Sequence, residues 1–294
     1  MIEIERSFHS DGIPLSGAVY LPDSGIDRRA PLVVPCSGFT GLRSIHPERF
    51  ARSLTARGYA CFAFDYRGFP PSGGEPGRVL VEEQVRDVRN AAAFAVSDPE
   101  HGADRVVLLG WGMAGGMVLP AARSLASVCG LVCVNGFYDA LRVQRAVRSA
   151  EDWERFFAWL QQERREATHS SEPRRTDPFW IYPLDPVSKS YVDSVLRAVP
   201  GYEGDTVHTA FADSLLDFSP ERDLGHLSEL PVLIAHGDQN ALHPIGEARS
   251  LFERYPGPKE LFWIEGGGHT EWMDDDDSRY QRLAGRIADW LDAL

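Results

Sequence analysis

Between residues 106 and 116 the chain reads Val-Val-Leu-Leu-Gly-Trp-Gly-Met-Ala-Gly-Gly. Four consecutive aliphatic residues suit a strand buried on both faces, and the small residues that follow let the backbone reverse tightly while neighbouring segments approach closely. Glycine at 110, 112, 115 and 116, with alanine at 114, meets that demand. A buried strand that feeds straight into a helix is half of a βα unit. Such units stack into a mostly parallel sheet with helices on both faces. This stretch therefore commits the chain to an α/β architecture.

Four further segments repeat the pattern in order. Residues Pro31–Gly41 and Ala60–Gly68 read as short buried strands ending in loops, the second continuing through Phe69–Glu75. Leu230–Asn240 is a late strand with a polar turn, and Leu261–Glu271 a last one ending at Gly266-Gly267-Gly268-His269. Met1–Leu21 alternates polar and apolar residues about Ser10-Asp11-Gly12, the pattern of an antiparallel hairpin. Helical spacing appears over Pro47–Arg57, Val79–Val96, Met113–Ser127 and Gly246–Tyr255. It returns over Asp277–Leu294, where Tyr280, Leu283, Ile287 and Trp290 share one face. The acidic run Asp274–Asp277 reads as the favourable N-terminus of that last helix.

In this order the segments resemble the α/β-hydrolase superfamily, nearest to its dienelactone-hydrolase-like and Xaa-Pro-peptidase-like esterase branches. The resemblance implies a doubly wound, mostly parallel sheet, with residues 1–139 and 226–294 as the core and 140–225 as an inserted helical cap. It also implies that Gly110–Gly116 is the nucleophile elbow, normally G-x-S-x-G. Here the tip is Gly112, which has no side chain to attack a substrate. The triad acid normally closes H-G-x-x-D; here that run is His236-Gly237-Asp238-Gln239-Asn240, with an amide in place of the carboxylate. Only His269 keeps its type. The inherited triad is Gly112, Asn240 and His269, so an acyl-serine intermediate at the elbow is impossible and ordinary serine esterase activity is not expected.

The oxyanion hole is made of backbone N–H groups and does not depend on side-chain identity. The resemblance assigns it to Phe39 and Met113, the latter opening a helix whose dipole favours negative charge. The implied chemistry is a non-covalent, His269-dependent acid–base route on an acyl or carbonyl substrate: hydrolysis or cyclisation of an ester, thioester or lactone. Proton transfer on a carbon acid, as in a lyase or decarboxylase, is the alternative, and non-catalytic binding of a ligand or partner is a third reading. A secondary-metabolite tailoring step suits a lost nucleophile.

Other candidates for the pocket are Cys36 and Ser37 in the oxyanion loop, Trp111 in the elbow, and Asp139 as a replacement acid. Trp153, Phe157 and Trp180 come from the aromatic cap. Each has a plainer reading: a buried thiol, turn residues, cap packing. Arg174 and Arg175 read as solvated. His169, His208, His226 and His243 show no helical metal-ligand pairing and read as structural.

A net charge of −13 over 294 residues argues against nucleic-acid binding, which wants a basic face. The four cysteines form no C-x-x-C pair, so neither a disulfide framework nor a zinc site is expected. No cofactor or metal motif is present, no run of about 18 apolar residues suggests a membrane span, and the N-terminus lacks an apolar signal core. The expected partner is a small-molecule acyl or carbonyl substrate, with no nucleic acid and no membrane; a homodimer is the one candidate assembly, and the cytoplasm the expected compartment.

Overall fold

The computed structural model describes residues 1–98, 103–200, 202 and 206–294. Eight strands form one sheet: β1 (Ile2–Ser10), β2 (Ile13–Leu21), β3 (Leu32–Cys36), β4 (Cys61–Phe64), β5 (Val106–Trp111), β6 (Val128–Val134), β9 (Val232–Gly237) and β10 (Lys259–Ile264). A separate two-stranded pair, β7 (Arg175–Thr176) with β8 (Val207–His208), lies in the insertion. The main sheet runs in the order β1-β2-β4-β3-β5-β6-β9-β10. β1 pairs antiparallel with β2 and β2 with β4, and every later pairing is parallel.

The fully apolar strands occupy the centre. All residues of β3, β4, β5 and β9 are buried, whereas β1 and β10 at the two edges are partly exposed. Helices α1 (Pro47–Thr55) and α10 (Ser278–Leu291) cover one face, joining Phe50, Leu54, Tyr280, Leu283, Ile287 and Trp290 to the inner residues of the sheet. The other face is covered by α2 (Val81–Ser97), α3 (Met113–Ala121) and α9 (Gly246–Arg254) through Val88, Ala92, Met117 and Leu251. This is the doubly wound, mostly parallel α/β arrangement that the apolar strands predict.

One helix ends well short of the sequence reading, and one helix start agrees with it. The helix after β5 stops at Ala121, not Ser127, because Ser124 takes a left-handed φ of 63° and the chain turns back to start β6 at Val128. Asp277 caps α10 by accepting the Arg279 N–H, so the acidic run serves as a helix start.

Residues 140–225, between β6 and β9, hold α4 (Ala140–Ala146), α5 (Ala150–Ala167), α6 (Pro178–Ile181), α7 (Pro186–Ser194) and α8 (Ala210–Leu216). Phe39, in the loop after β3, stacks on Phe211 of α8 at 5.1 Å and on Tyr182, just beyond α6, at 6.0 Å. Arg174 is not free in solvent: its guanidinium pairs with Glu163 at 2.6 Å and Glu166 at 2.8 Å, tying the β7 loop to α5. Arg175 donates to the Pro76 carbonyl at 2.9 Å.

One buried side chain ties the C-terminal ends of the strands together. Asn135, just past β6, has φ of 50°, a left-handed conformation that asparagine tolerates better than most residues. Its Nδ2 donates to the Gly268 and His269 carbonyls at 3.2 and 2.8 Å, and its Oδ1 accepts the Gly237 N–H at 2.8 Å. Asn135→Ala leaves these backbone groups buried without partners, each worth about 1–3 kcal/mol. Urea unfolding of this variant is expected to show a loss of about 3 kcal/mol or more; a loss under about 1 kcal/mol would show that the tie is not needed.

Candidate active site

β5 enters α3 through a turn with almost no room for side chains. A Cβ on Gly110 would stand 2.1 Å from the Ala114 carbonyl oxygen, so only glycine fits there. At the tip, Gly112 adopts φ 57°, ψ −123°, outside the ordinary range of L-residues. Its space is open: a Cβ there would meet only His269, with Nε2 at 3.6 Å. The tip of the turn thus faces the imidazole, and at this position it is a bare backbone.

His269 reaches the site from the glycine loop after β10. Its ring lies 5.4 Å from Trp111 and 4.5 Å from His243, centroid to centroid. On its far side Nδ1 is 3.2 Å from Asn240 Nδ2, and Asn240 Oδ1 accepts the backbone N–H of His243 at 2.9 Å. His243 in turn donates from Nδ1 to the Asn135 carbonyl at 2.5 Å, which leaves its Nε2 to accept the Tyr182 hydroxyl. The chain of contacts runs from the core strands to the insertion without a carboxylate.

Gly112, Phe39, Met113, Trp111 and His269 line one narrow cavity of about 70 Å³. Among the described residues the Phe39 and Met113 amides have no hydrogen-bond acceptor, Met113 being the first residue of α3. The insertion contributes Phe179, Tyr182, Tyr191 and Val192 to the walls. His46 and Thr270 also line it, each with a buried polar atom lacking a partner, Nδ1 of His46 and Oγ1 of Thr270.

Six sequence candidates lie elsewhere. Cys36 ends β3 with its thiol toward the Val34 carbonyl at 3.4 Å, and burial pushes that thiol above its ordinary range. Ser37 is buried beside it with no partner for its hydroxyl. Asp139 caps α4 through the Arg142 N–H and bonds Ser219 and Arg222, a turn residue rather than a replacement acid. Phe157 is 46% exposed. Trp153 packs on Phe156 and Phe157 along α5, and Trp180 packs on Phe156 and Trp159. Trp153 and Trp180 pack within the insertion and Phe157 faces solvent; none of the three lines the cavity. Sequence reading missed Asn135, His46 and Thr270, counted Tyr182 only among the aromatics of the insertion, and took His243 as structural only. The readable signals were a lone amide ending an apolar strand and a histidine three residues after Asn240.

A larger surface groove of about 450 Å³ runs past Glu75, Glu163, Arg174 and His208. Several of its charges are paired with one another, as in Arg174–Glu163 and His208–Glu75.

The family model for serine aminopeptidases of the S33 group, Hydrolase_4, matches residues 28–276, and the chain belongs to that family. Among curated proteins it is 26% identical over 283 residues to an uncharacterised 31.7 kDa protein of the traX-finO intergenic region of Escherichia coli, covering 96% of each chain. It is 30% identical over 145 residues to the quorum-quenching protein AidA of Acinetobacter baumannii, 49% of this chain and 47% of that one. Among solved structures, the α/β-hydrolase GrgF of Penicillium sp. sh18 superposes with a TM-score of 0.80 at 18% identity, covering 100% of this chain and 99% of GrgF. At that identity the likeness is one of fold.

The rings around the site stay uncharged because burial penalises the cation. It pushes His46 and His243 down to about 3 and His236 to about 4. His269 falls well below its ordinary value through burial first, then through His243, His236 and His46. Each ring therefore refuses a proton that the unfolded chain accepts below about pH 6.5. Asp65 acts the other way: burial raises it to about 7, so the folded state holds a proton that the unfolded chain has released. The four rings outnumber the one carboxyl, so below about pH 6.5 unfolding takes up protons on balance and stability is lost as the pH falls. Urea unfolding at several pH values between 7 and 5 is expected to show stability intact above about pH 6.5 and falling steeply below it; a flat profile would mean that the rings are charged in the fold.

Proposed function

We propose that the protein is an enzyme that acts on a small acyl or carbonyl substrate without forming a covalent acyl-enzyme. The observation that carries this reading is the elbow itself. Gly112 keeps the backbone geometry of a nucleophile tip, with His269 facing the open space at 3.6 Å, although no nucleophile stands there. In this reading the substrate carbonyl oxygen accepts from the Phe39 and Met113 amides, and the reacting group takes the volume that a serine side chain would fill. His269 is the acid–base group at that point, and Asn240 sets its orientation. The triad is thus a degenerate one, put to use without its nucleophile.

Hydrolysis or ring closure of an ester, thioester or lactone is the first form of this chemistry. The quorum-quenching function named for the Acinetobacter relative lends some support to a small signalling substrate. Reaction at a carbon acid is the second form, favoured by one specific feature. Asn240 carries no charge to offset an imidazolium, so a route in which His269 stays neutral suits the site better. The insertion, residues 140–225, serves as the cap, and its aromatic walls suit an apolar acyl or aryl group. The cavity is well below the usual few hundred Å³ of ligand sites, so substrate entry involves movement of Phe179, Tyr182 or Tyr191.

Turnover of aryl esters, thioesters, lactones and β-keto acids, with products identified by mass, tests the reading. His269→Ala is expected to lower the observed activity by about 10²–10⁴-fold. Activity indifferent to this change would overturn the assignment, and an absence of activity in both proteins would favour a binding role.

A further inference from the structure

The Asn240 amide is not free to choose which atom it shows to His269. Its oxygen accepts the main-chain N–H of His243 at 2.9 Å, a donor that cannot change its nature. Turning the amide over would set N–H against N–H in a buried site. The NH₂ group must therefore face His269 Nδ1, at 3.2 Å, and an amide NH₂ can only donate. Nδ1 of the neutral ring is then the lone-pair nitrogen, and the single ring proton sits on Nε2. That is the nitrogen beside the vacant tip, 3.6 Å from where a Cβ on Gly112 would stand. A carboxylate at 240 would impose the opposite tautomer, with Nδ1–H donating and Nε2 bare to act as a base.

We infer that Asn240 locks His269 as an Nε2–H donor, making the cavity a three-donor oxyanion cradle whose substrates are β-keto acids and kindred carbon acids that need no base from the protein. The inference rests on the reading that this cavity is catalytic, and of its two forms it selects reaction at a carbon acid, with His269 as a hydrogen-bond donor in place of a base. Phe39, Met113 and His269 line the same narrow space, and among the described residues no carboxylate does. Activating a water or an alcohol for attack requires an acceptor at the tip, and the fixed tautomer withholds one. A neutral imidazole polarises a carbonyl well from this position, since it lends a hydrogen bond and keeps its proton.

Decarboxylation of a β-keto acid matches that inventory. The bond between the carboxyl carbon and the α-carbon breaks, and its electron pair forms the enolate double bond while the ketone π pair moves onto oxygen. Carbon dioxide departs, and the enolate takes a proton on carbon from water. The three donors hold the enolate oxygen as its charge develops, and walls built from Phe39, Trp111, Phe179 and Tyr182 strip water from the departing carboxylate. Asn240 is a positioning residue, because it acts on the reaction only through the ring of His269.

The test uses the full chain labelled with ¹⁵N-histidine, the His269 signals being those missing from His269→Gln. Two-bond ¹⁵N–¹H correlation is expected to show a protonated Nε2 and a bare Nδ1 in the wild type, reversed in Asn240→Asp. A wild-type ring protonated at Nδ1 would overturn the inference, whatever the activity. In parallel, carbon dioxide release from benzoylacetate is followed above the spontaneous rate. His269→Gln is expected to lower it by about 10²–10³-fold, the cost of one oxyanion donor. His269-dependent turnover of esters or lactones without acceleration of benzoylacetate would overturn the substrate assignment and leave the broader function standing. No turnover of any substrate would remove that function, while the tautomer is decided by the spectrum alone. A gain-of-function arm keeps the lock testable without the natural substrate. Gly112→Ser combined with Asn240→Asp is expected to hydrolyse aryl esters about 10⁴-fold faster than Gly112→Ser alone, and equal rates would contradict the lock.

Discussion

The passage of β5 into α3 is the constraint on which the rest of the molecule depends. With 2.1 Å between a Cβ at 110 and the Ala114 carbonyl oxygen, the crossing closes only around glycine at 110. Because the strand is buried on both faces, the crossing also decides where the flanking layers sit: α2, α3 and α9 on one side, α1 and α10 on the other. It leaves the Met113 amide at a helix start, facing open space rather than an acceptor. Loss of a side chain at the tip relieves the strain that an L-residue would store there, about 1–3 kcal/mol. The same loss hands its volume to a ligand.

Around that tip lies a buried network made wholly of neutral groups. Asn135, Asn240, His243, Tyr182 and His269 satisfy one another and the adjoining backbone, and among the described residues no carboxylate joins them to stabilise an imidazolium. Such a network fixes the position of every proton, because each amide and ring has one partner whose role cannot be exchanged. In the proposed chemistry, stabilisation of charge on the substrate falls to N–H dipoles, which are strongest in a dry, apolar setting.

Much of the fold was legible in the sequence, for a simple reason. Strands such as Val106–Leu109 and Val232–Ala235 are apolar throughout, as two-sided burial demands, and helical faces such as Tyr280, Leu283 and Ile287 keep their period. The residues that meet at the cavity, Gly112, His269, Phe39, Met113 and Trp111, were legible because strand ends place them, and strand ends are marked by glycine. The walls contributed by the insertion were not. Trp153, Phe157 and Trp180 have the same composition as Phe179 and Tyr182, and only packing decides which ring turns inward. Asn135 escaped because its role lies in three backbone contacts made far along the chain, at Gly237, Gly268 and His269. The end of the helix after the elbow was misplaced because Ser124 takes a left-handed turn that no local glycine announces.

Intact-protein mass spectrometry during turnover separates the proposed route without a covalent intermediate from acyl transfer through a nucleophile. The 32.7 kDa chain, quenched while it consumes the best ester, thioester, lactone or keto-acid substrate, is expected to show the mass of the unmodified protein alone. A second species heavier by the acyl group, formed and lost at the rate of turnover, would contradict the account and place a nucleophile elsewhere in the cavity.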